Sequence, residues 1–229
     1  MTAIRIFIIS VGFLAMTLTG NAQTKQVGPF SKVHVSGNLK VELIHSTTPK
    51  VEYTILEGDP DQFVVEVFGE ELEIKFKNTR FWEYFTSTKA KVKVYYTSLS
   101  RIDCSAGSSL VSVGTIEASS MDVEVSSGAH CELSLHCQEA RVDISSGAEV
   151  ILSGKAKRFI FDASSGAELD GFDFPVMYAS GDASSGAVVK VHCTDTLDAD
   201  VSSGGTVRYR GNPCSVKKHT SSGGEVRAL

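Results

Sequence analysis

The sequence predicts an all-β chain whose larger part is a single-stranded parallel β-helix, or solenoid, with coils of about 19 residues, and three observations predict it. Ser-Ser-Gly recurs at Ser126-Ser127-Gly128, Ser145-Ser146-Gly147, Ser164-Ser165-Gly166, Ser184-Ser185-Gly186, Ser202-Ser203-Gly204 and Ser221-Ser222-Gly223, with glycines 19, 19, 20, 18 and 19 residues apart. Such a fixed period is the mark of a repeat architecture. Apolar and polar residues alternate strictly on both sides of each copy, as in strands with one buried face. No unit carries an apolar stripe of helical period, and 19 residues are too few for two strands with a crossover helix between them.

The regular part is expected over residues 101–229. Before each glycine the pattern runs apolar, acidic, apolar, Ser, Ser, as in Val123-Glu124-Val125, Val142-Asp143-Ile144 and Phe161-Asp162-Ala163. After it, Ala129, Ala148, Ala167 and Ala187 open a second alternating run, so the buried parity survives the corner. Gly128, Gly147, Gly166, Gly186, Gly204 and Gly223 are the structural corners, because a residue without Cβ takes a positive φ at no steric cost. The serine before each glycine shares the inward parity, so it is expected to be buried, with its hydroxyl bonded to backbone or to the next coil. A looser copy, Ser105-Ala106-Gly107, opens the series. One unit gives a circuit of at most about 63 Å, and seven stacked coils a column of roughly 30 Å. The last unit places Lys218-His219-Thr220 where earlier units are apolar-acidic-apolar, the signature of a polar terminal cap.

Residues 23–100 follow a looser version of the same alternation and are expected to form an irregular β portion of the same elongated domain, packed on the first coil. Val33-His34-Val35 passes through Ser36-Gly37 into Leu39, Val41 and Leu43; further alternating runs follow at Val51–Ile55, Phe63–Val67, Leu72–Phe76 and Val92–Tyr96. Gly69-Glu70-Glu71 suits a hairpin. The run Arg80-Phe81-Trp82-Glu83-Tyr84-Phe85 breaks the alternation and holds the single tryptophan. Arg80, Phe81, Trp82, Tyr84 and Phe85 are candidate contacts for a ligand or partner, by stacking on sugar rings or anchoring a protein. Equally, they suit a cover for the open end of the core.

Residues 1–22 read as a secretory signal peptide: a charge at Arg5, an apolar run from Ile6 to Leu18, then small residues up to Ala22. Cleavage there would leave a chain of 207 residues, exported to periplasm, cell surface or medium, with no transmembrane span and no cysteine for a lipid anchor. The net charge of −5 would become −6 with loss of Arg5, which excludes general attraction to nucleic acid or anionic membranes. The five cysteines form no CxxC pair, and their odd count leaves at least one thiol unpaired or paired between chains. Cys104 and Cys131 occupy positions that are apolar in other repeats, so both are expected in the core; neighbouring repeats also leave room for a Cys193–Cys214 bridge.

No catalytic residue emerges. The serines are periodic without a nucleophile elbow, and alternation points His130 and Cys131 to opposite faces, against a zinc site. Asp103, Glu124, Asp143, Asp162, Asp182 and Asp200 share one repeat position and should form an outward ladder. Calcium would suit such a ladder, yet no dedicated calcium motif is present, so a solvated face is expected, without cofactor or metal. The arginines Arg101, Arg141, Arg158, Arg208 and Arg210 form no singular set.

The signal peptide, the opening Phe30-x-x-Val33-x-Val35-x-Gly37 and the serial Ser-Ser-Gly-Ala corners resemble the bacterial family named "putative auto-transporter adhesin, head GIN domain", common in Bacteroidetes. The resemblance spans about residues 28–225 and implies a β-helical fold, an envelope or surface role and no enzymatic residues. No translocating barrel follows the repeats within these 229 residues. The expected function is a non-catalytic binding or adhesin-like module for a glycan or an envelope protein. The alternatives are a β-helix lyase or hydrolase of polysaccharide, or a scaffold that self-associates into homo-oligomers.

Overall fold

The computed structural model describes residues 22–77 and 88–229, and every described strand joins one hydrogen-bonded sheet wound into a column. Seven strands form the N-terminal portion: β1 (Gln23–Gln26), β2 (Lys32–Ser36), β3 (Leu39–His45), β4 (Lys50–Glu57), β5 (Phe63–Phe68), β6 (Glu71–Phe76) and β7 (Lys89–Tyr96). The solenoid follows as β8 (Arg101–Ser105), β9 (Ser109–Glu117), β10 (Ser120–Val125), β11 (His130–Ile144), β12 (Glu149–Ala163), β13 (Glu168–Ala183), β14 (Val188–Val201), β15 (Thr206–Arg210), β16 (Ser215–Thr220) and β17 (Glu225–Ala228). A 3-10 turn at Pro60–Gln62 is the single helical element among the described residues. No described helix is long and apolar enough to cross a membrane.

From β8 onward every pairing is parallel and joins equivalent residues of successive repeats: Val123 lies beside Val142, Val142 beside Phe161, and Phe161 beside Gly181. Like side chains therefore stack, and Val123, Val142 and Phe161 are all buried. Gly181 breaks the stack of side chains for a packing reason. A Cβ there would come within 2.8 Å of the Phe161 ring and 1.9 Å of its carbonyl oxygen. Phe159 contributes a second large ring to this part of the core, 5.8 Å from Phe174 in an edge-on contact. Long strands such as β11 run through a second bend, where buried Cys137 and Ala140 lie three residues apart, so one extra residue resets the parity.

The Ser-Ser-Gly corner is a tight turn with two consecutive residues at positive φ, Ser127 at 54° and Gly128 at 70°, closed by the Ala129 N–H donating to the Ser126 carbonyl at 3.1 Å. Both central residues at positive φ define the type I′ pattern. This corrects the expected place of the second serine: Ser127, Ser146 and Ser165 are exposed, because the left-handed pair turns the tip of the corner outward, and the following alanine is the buried corner residue. The corners are tied together through backbone. The Gly128 N–H donates to the Ser146 carbonyl at 3.1 Å, Gly147 to Ser165 at 3.1 Å and Gly166 to Ser185 at 3.0 Å. A buried serine hydroxyl does occur at Ser108, which takes the place of Ala129 in the first coil and donates to the Ser105 carbonyl at 2.7 Å.

The N-terminal portion adds two further layers. Strands β2 and β3 flank the Ser36-Gly37 corner and pair in parallel with β8 and β9, so they form the layer beneath the first coil. Strands β6 and β7 pair in parallel with β2 and β3 from the other side. Antiparallel strands finish this end: β5 on β6 through the two-residue loop Gly69-Glu70, and β4 on β7 with β1 beyond it. At the opposite end Lys218 occupies the position beside Ala199, and its ammonium reaches the Val226 carbonyl at 3.5 Å. An inward cation on an edge strand blocks further pairing, and so the last coil has the polar end expected of it.

Candidate functional site: the outward columns of the solenoid

With the interior filled by side chains, chemistry must reside on the outward positions, which stacking arranges in columns. The acidic residues do line up: Asp103 beside Glu124, Glu124 beside Asp143, Asp143 beside Asp162, Asp162 beside Asp182, and Asp182 beside Asp200. The column continues into a histidine at each end, His34 next to Asp103 and His219 next to Asp200. Neighbouring carboxylates at strand spacing repel by roughly 1 kcal/mol in water and more at lower dielectric.

The ladder is neutralised at its Asp103 end and not in its middle. His34 Nδ1 lies 3.3 Å from Asp103, and that contact outweighs partial burial to hold the imidazole above its ordinary pKa. Glu124 is paired with Arg101. Further along, burial and then the adjacent Asp162 raise the Asp143 carboxyl, and burial with Asp200 and Asp162 raises Asp182. Asp162, Asp182, Asp200 and His219 line a shallow groove of about 370 Å³ beside three serine corners. Among the described residues no three His, Cys, Asp or Glu side chains converge as metal ligands.

The second sheet face, after the corner, is organised differently. Toward its N-terminal end a groove of about 600 Å³ is lined by Lys40, Glu42, Tyr53, Lys91, Lys93 and Ser109 among others. Two histidines pair with carboxylates of adjacent coils, His130 with Glu149 and His136 with Glu117, each at 3.0 Å. Toward the C-terminal end cations stack: Lys190 beside Arg208, and Arg208 beside Arg227, with His192 next to Arg210 along the same strands. Sequence inspection had found no singular set of basic residues. The signal was present in their spacing, since Lys190, Arg208 and Arg227 are 18 and 19 residues apart and thus repeat the intervals of Gly186, Gly204 and Gly223.

All five cysteines are free thiols; Cys104, Cys131, Cys137 and Cys193 are buried and Cys214 is exposed, so no Cys193–Cys214 bridge is formed. Burial, followed by the charges of Glu117 and Glu139, pushes the Cys137 thiol up to about 11. His130 is partly exposed whereas Cys131 is fully buried, opposite sides of one strand as alternation requires. Arg80, Phe81, Trp82, Tyr84 and Phe85, and residues 1–21 of the expected signal peptide, lie outside the described residues.

Comparison with known proteins finds the same overall fold. The family model described as "putative auto-transporter adhesin, head GIN domain" matches residues 29–213. The chain belongs to this family. No curated protein matches it in sequence. Among solved structures, a putative adhesin of Bacteroides fragilis superposes with a TM-score of 0.80 at 14% identity, covering 91% of this chain and 96% of that one. Putative adhesins of Parabacteroides merdae and Parabacteroides distasonis give TM-scores of 0.73 and 0.71 at 18% and 21% identity, each over 91% of this chain and 95% and 96% of theirs. At these identities the likeness concerns the fold. The head GIN family is thus built here from the same corner-and-column grammar that the repeats spell out.

Proposed function

We propose that this head GIN domain is a non-catalytic binding module, exported to the cell envelope or surface, that recognises a glycan or an envelope protein along the long faces of its column. The observation that carries this reading is the distribution of its polar groups. Acids, histidines and cations stand in evenly spaced columns on a rigid, filled scaffold, which suits contact with an extended partner. Acid–base catalysis instead needs one local pair of groups set apart from its surroundings. The segment Arg80–Phe85, with Trp82 at its centre, is a candidate second contact, and contact between column ends would give homo-oligomers.

One observation favours an enzyme instead. Asp162, Asp182 and Asp200 stack in the groove beside His219, and carboxylates about 5 Å apart are the spacing of retaining glycosidases. Against it, the same spacing repeats along the whole ladder, so no pair is distinguished as nucleophile and acid.

A glycan array and an envelope pull-down with residues 23–229 test the proposal. Saturable binding without turnover is the expected result. Release of products from any bound polysaccharide, abolished by Asp182→Asn, would replace the binding module by the enzyme. Trp82→Ala separates the roles of the aromatic run: binding lost at unchanged Tm marks recognition, and a large fall in Tm marks a core cover.

A further inference from the structure

We infer that the outward face of β14, β15 and β17 is an oxyanion-binding strip centred on Arg208, fitted to the carboxylates of an acidic polysaccharide. This rests on the proposal that the column binds glycans, and it names the class.

Lys190, Arg208 and Arg227 are in register on three adjacent strands, and Arg210 projects from the same face of β15 two residues beyond Arg208. Three of these four cations have a carboxylate of their own. Lys190 meets Glu168 and Asp170, each at 2.9 Å; Arg210 meets Asp173 at 2.9 Å; Arg227 meets Glu225 at 3.5 Å. Arg208, flanked by a cation on each side, has no ion-pair partner among the described residues. Its Nε is shielded from solvent and lacks a hydrogen-bond partner, as does the Nε of Arg210. Arg208 is thus the one cation of the four whose charge no carboxylate offsets, and its planar fork is shaped for one.

The partner class follows from charge and spacing. The chain as a whole is acidic, with a net charge of −5, so an extended anionic surface such as a membrane has no general attraction to it. A single polymer strand can lie along the strip and avoid the acidic ladder on the other face. The cations recur at the spacing of β-strands, about 4.8 Å, which is comparable to the rise per sugar unit of an extended polysaccharide, so successive uronate carboxylates can meet successive coils. Phe172, whose ring lies 5.1 Å from the Arg210 guanidinium, adds an apolar platform at one margin.

The test is calorimetric titration of residues 23–229 with oligogalacturonate and with the same oligosaccharide fully methyl-esterified, which keeps the backbone and removes the charge. The expected result is binding of the acidic form alone, weakened by salt and reduced about tenfold or more by Arg208→Gln. Lys217→Gln, a cation removed from the opposite face, should leave it unchanged. Arg208 makes no ion pair to lose, so unchanged melting is expected of Arg208→Gln, and Arg227→Gln serves as a second variant with a smaller loss. Equal binding of both oligosaccharides, or acidic binding indifferent to Arg208→Gln, overturns the strip while leaving a glycan-binding module intact. Arg208-dependent binding to phosphatidylglycerol vesicles, or Arg208-dependent self-association in sedimentation, also overturns it by assigning the strip to another partner. Failure of both oligosaccharides and of every glycan on the array removes the strip and the glycan reading together.

Discussion

The regular coils and the N-terminal layers use the same strands and corners, yet they solve different problems. From β8 to β17 each strand pairs with its equivalent one repeat away, so chain order and stacking order agree. In the N-terminal portion they disagree. Val33 pairs with Ile102 on one side and with Leu72 on the other, which places β2 between two layers made later in the chain. The contrast teaches that a solenoid propagates by local repetition but is closed by distant contacts. A coil leaves its outermost strands unpaired, and at this end antiparallel β4 and β5 meet β7 and β6. At the other end a polar coil with an inward lysine suffices.

The contrast predicts its own largest test. Excising 146–164 joins Ser145 to Ser165 and regenerates a Ser-Ser-Gly corner, so the shortened column should still unfold cooperatively in urea with a β circular-dichroism spectrum. Excising 63–77 removes β5 and β6, with Leu72 and Ile74 fully buried, and should abolish cooperative folding. If the internal deletion proves the more damaging of the two, the distinction between propagating and closing parts is wrong.

A smaller effect separates two kinds of glycine within the regular coils. At Gly154, φ is 101° and an added Cβ would sit 2.1 Å from the Leu135 carbonyl oxygen of the adjacent coil. That neighbour is backbone and cannot move aside, so Gly154→Ala should destabilise by about 3 kcal/mol or more. Gly128 has φ of 70° with open space around the added atom, so Gly128→Ala should lose only about 1 kcal/mol from the left-handed conformation. Denaturant midpoints of the two variants give the comparison.

The smallest effects are electrostatic and opposite in origin along the acidic ladder. Asp143 has a folded pKa raised by burial and by Asp162. The folded state therefore binds that proton more tightly, and its contribution to stability is greatest at acid pH and is lost as pH rises through the folded value. Asp143→Asn should raise stability at pH 7 by less than about 1 kcal/mol and change nothing near pH 3. His34 also has a raised folded value, from Asp103. Its stabilisation is complete below about pH 6.5, the unfolded value, and is lost as pH rises through the folded one. His34→Asn should remove that dependence, again at under about 1 kcal/mol because the pair is part exposed. Melting curves between pH 3 and 9 test both.

What was legible in the sequence was whatever the chain encodes within a repeat. The coil length, the glycine corners, the buried alternation through Val123, Val142 and Phe161, the hairpin at Gly69-Glu70 and the acidic ladder follow from backbone sterics and side-chain parity, which act over a few residues. The outward swing of Ser127 was misjudged because parity assumes an extended chain, and two successive positive φ angles reverse it. The cation strip was written in the intervals of Lys190, Arg208 and Arg227 but became a set only once register was known.

By itself, then, the sequence determined a winding solenoid, its period and the face on which the side chains of its extended strands stand. Only the tertiary structure decided that β2 and β3 slip between β8–β9 and β6–β7, that antiparallel strands finish one end, and which polar columns carry an unpaired charge. The physical reason is range. Turn geometry and alternation are dictated by neighbours in the chain, whereas a pairing such as Val33 with Ile102 is chosen by the burial of the whole column and leaves no local mark.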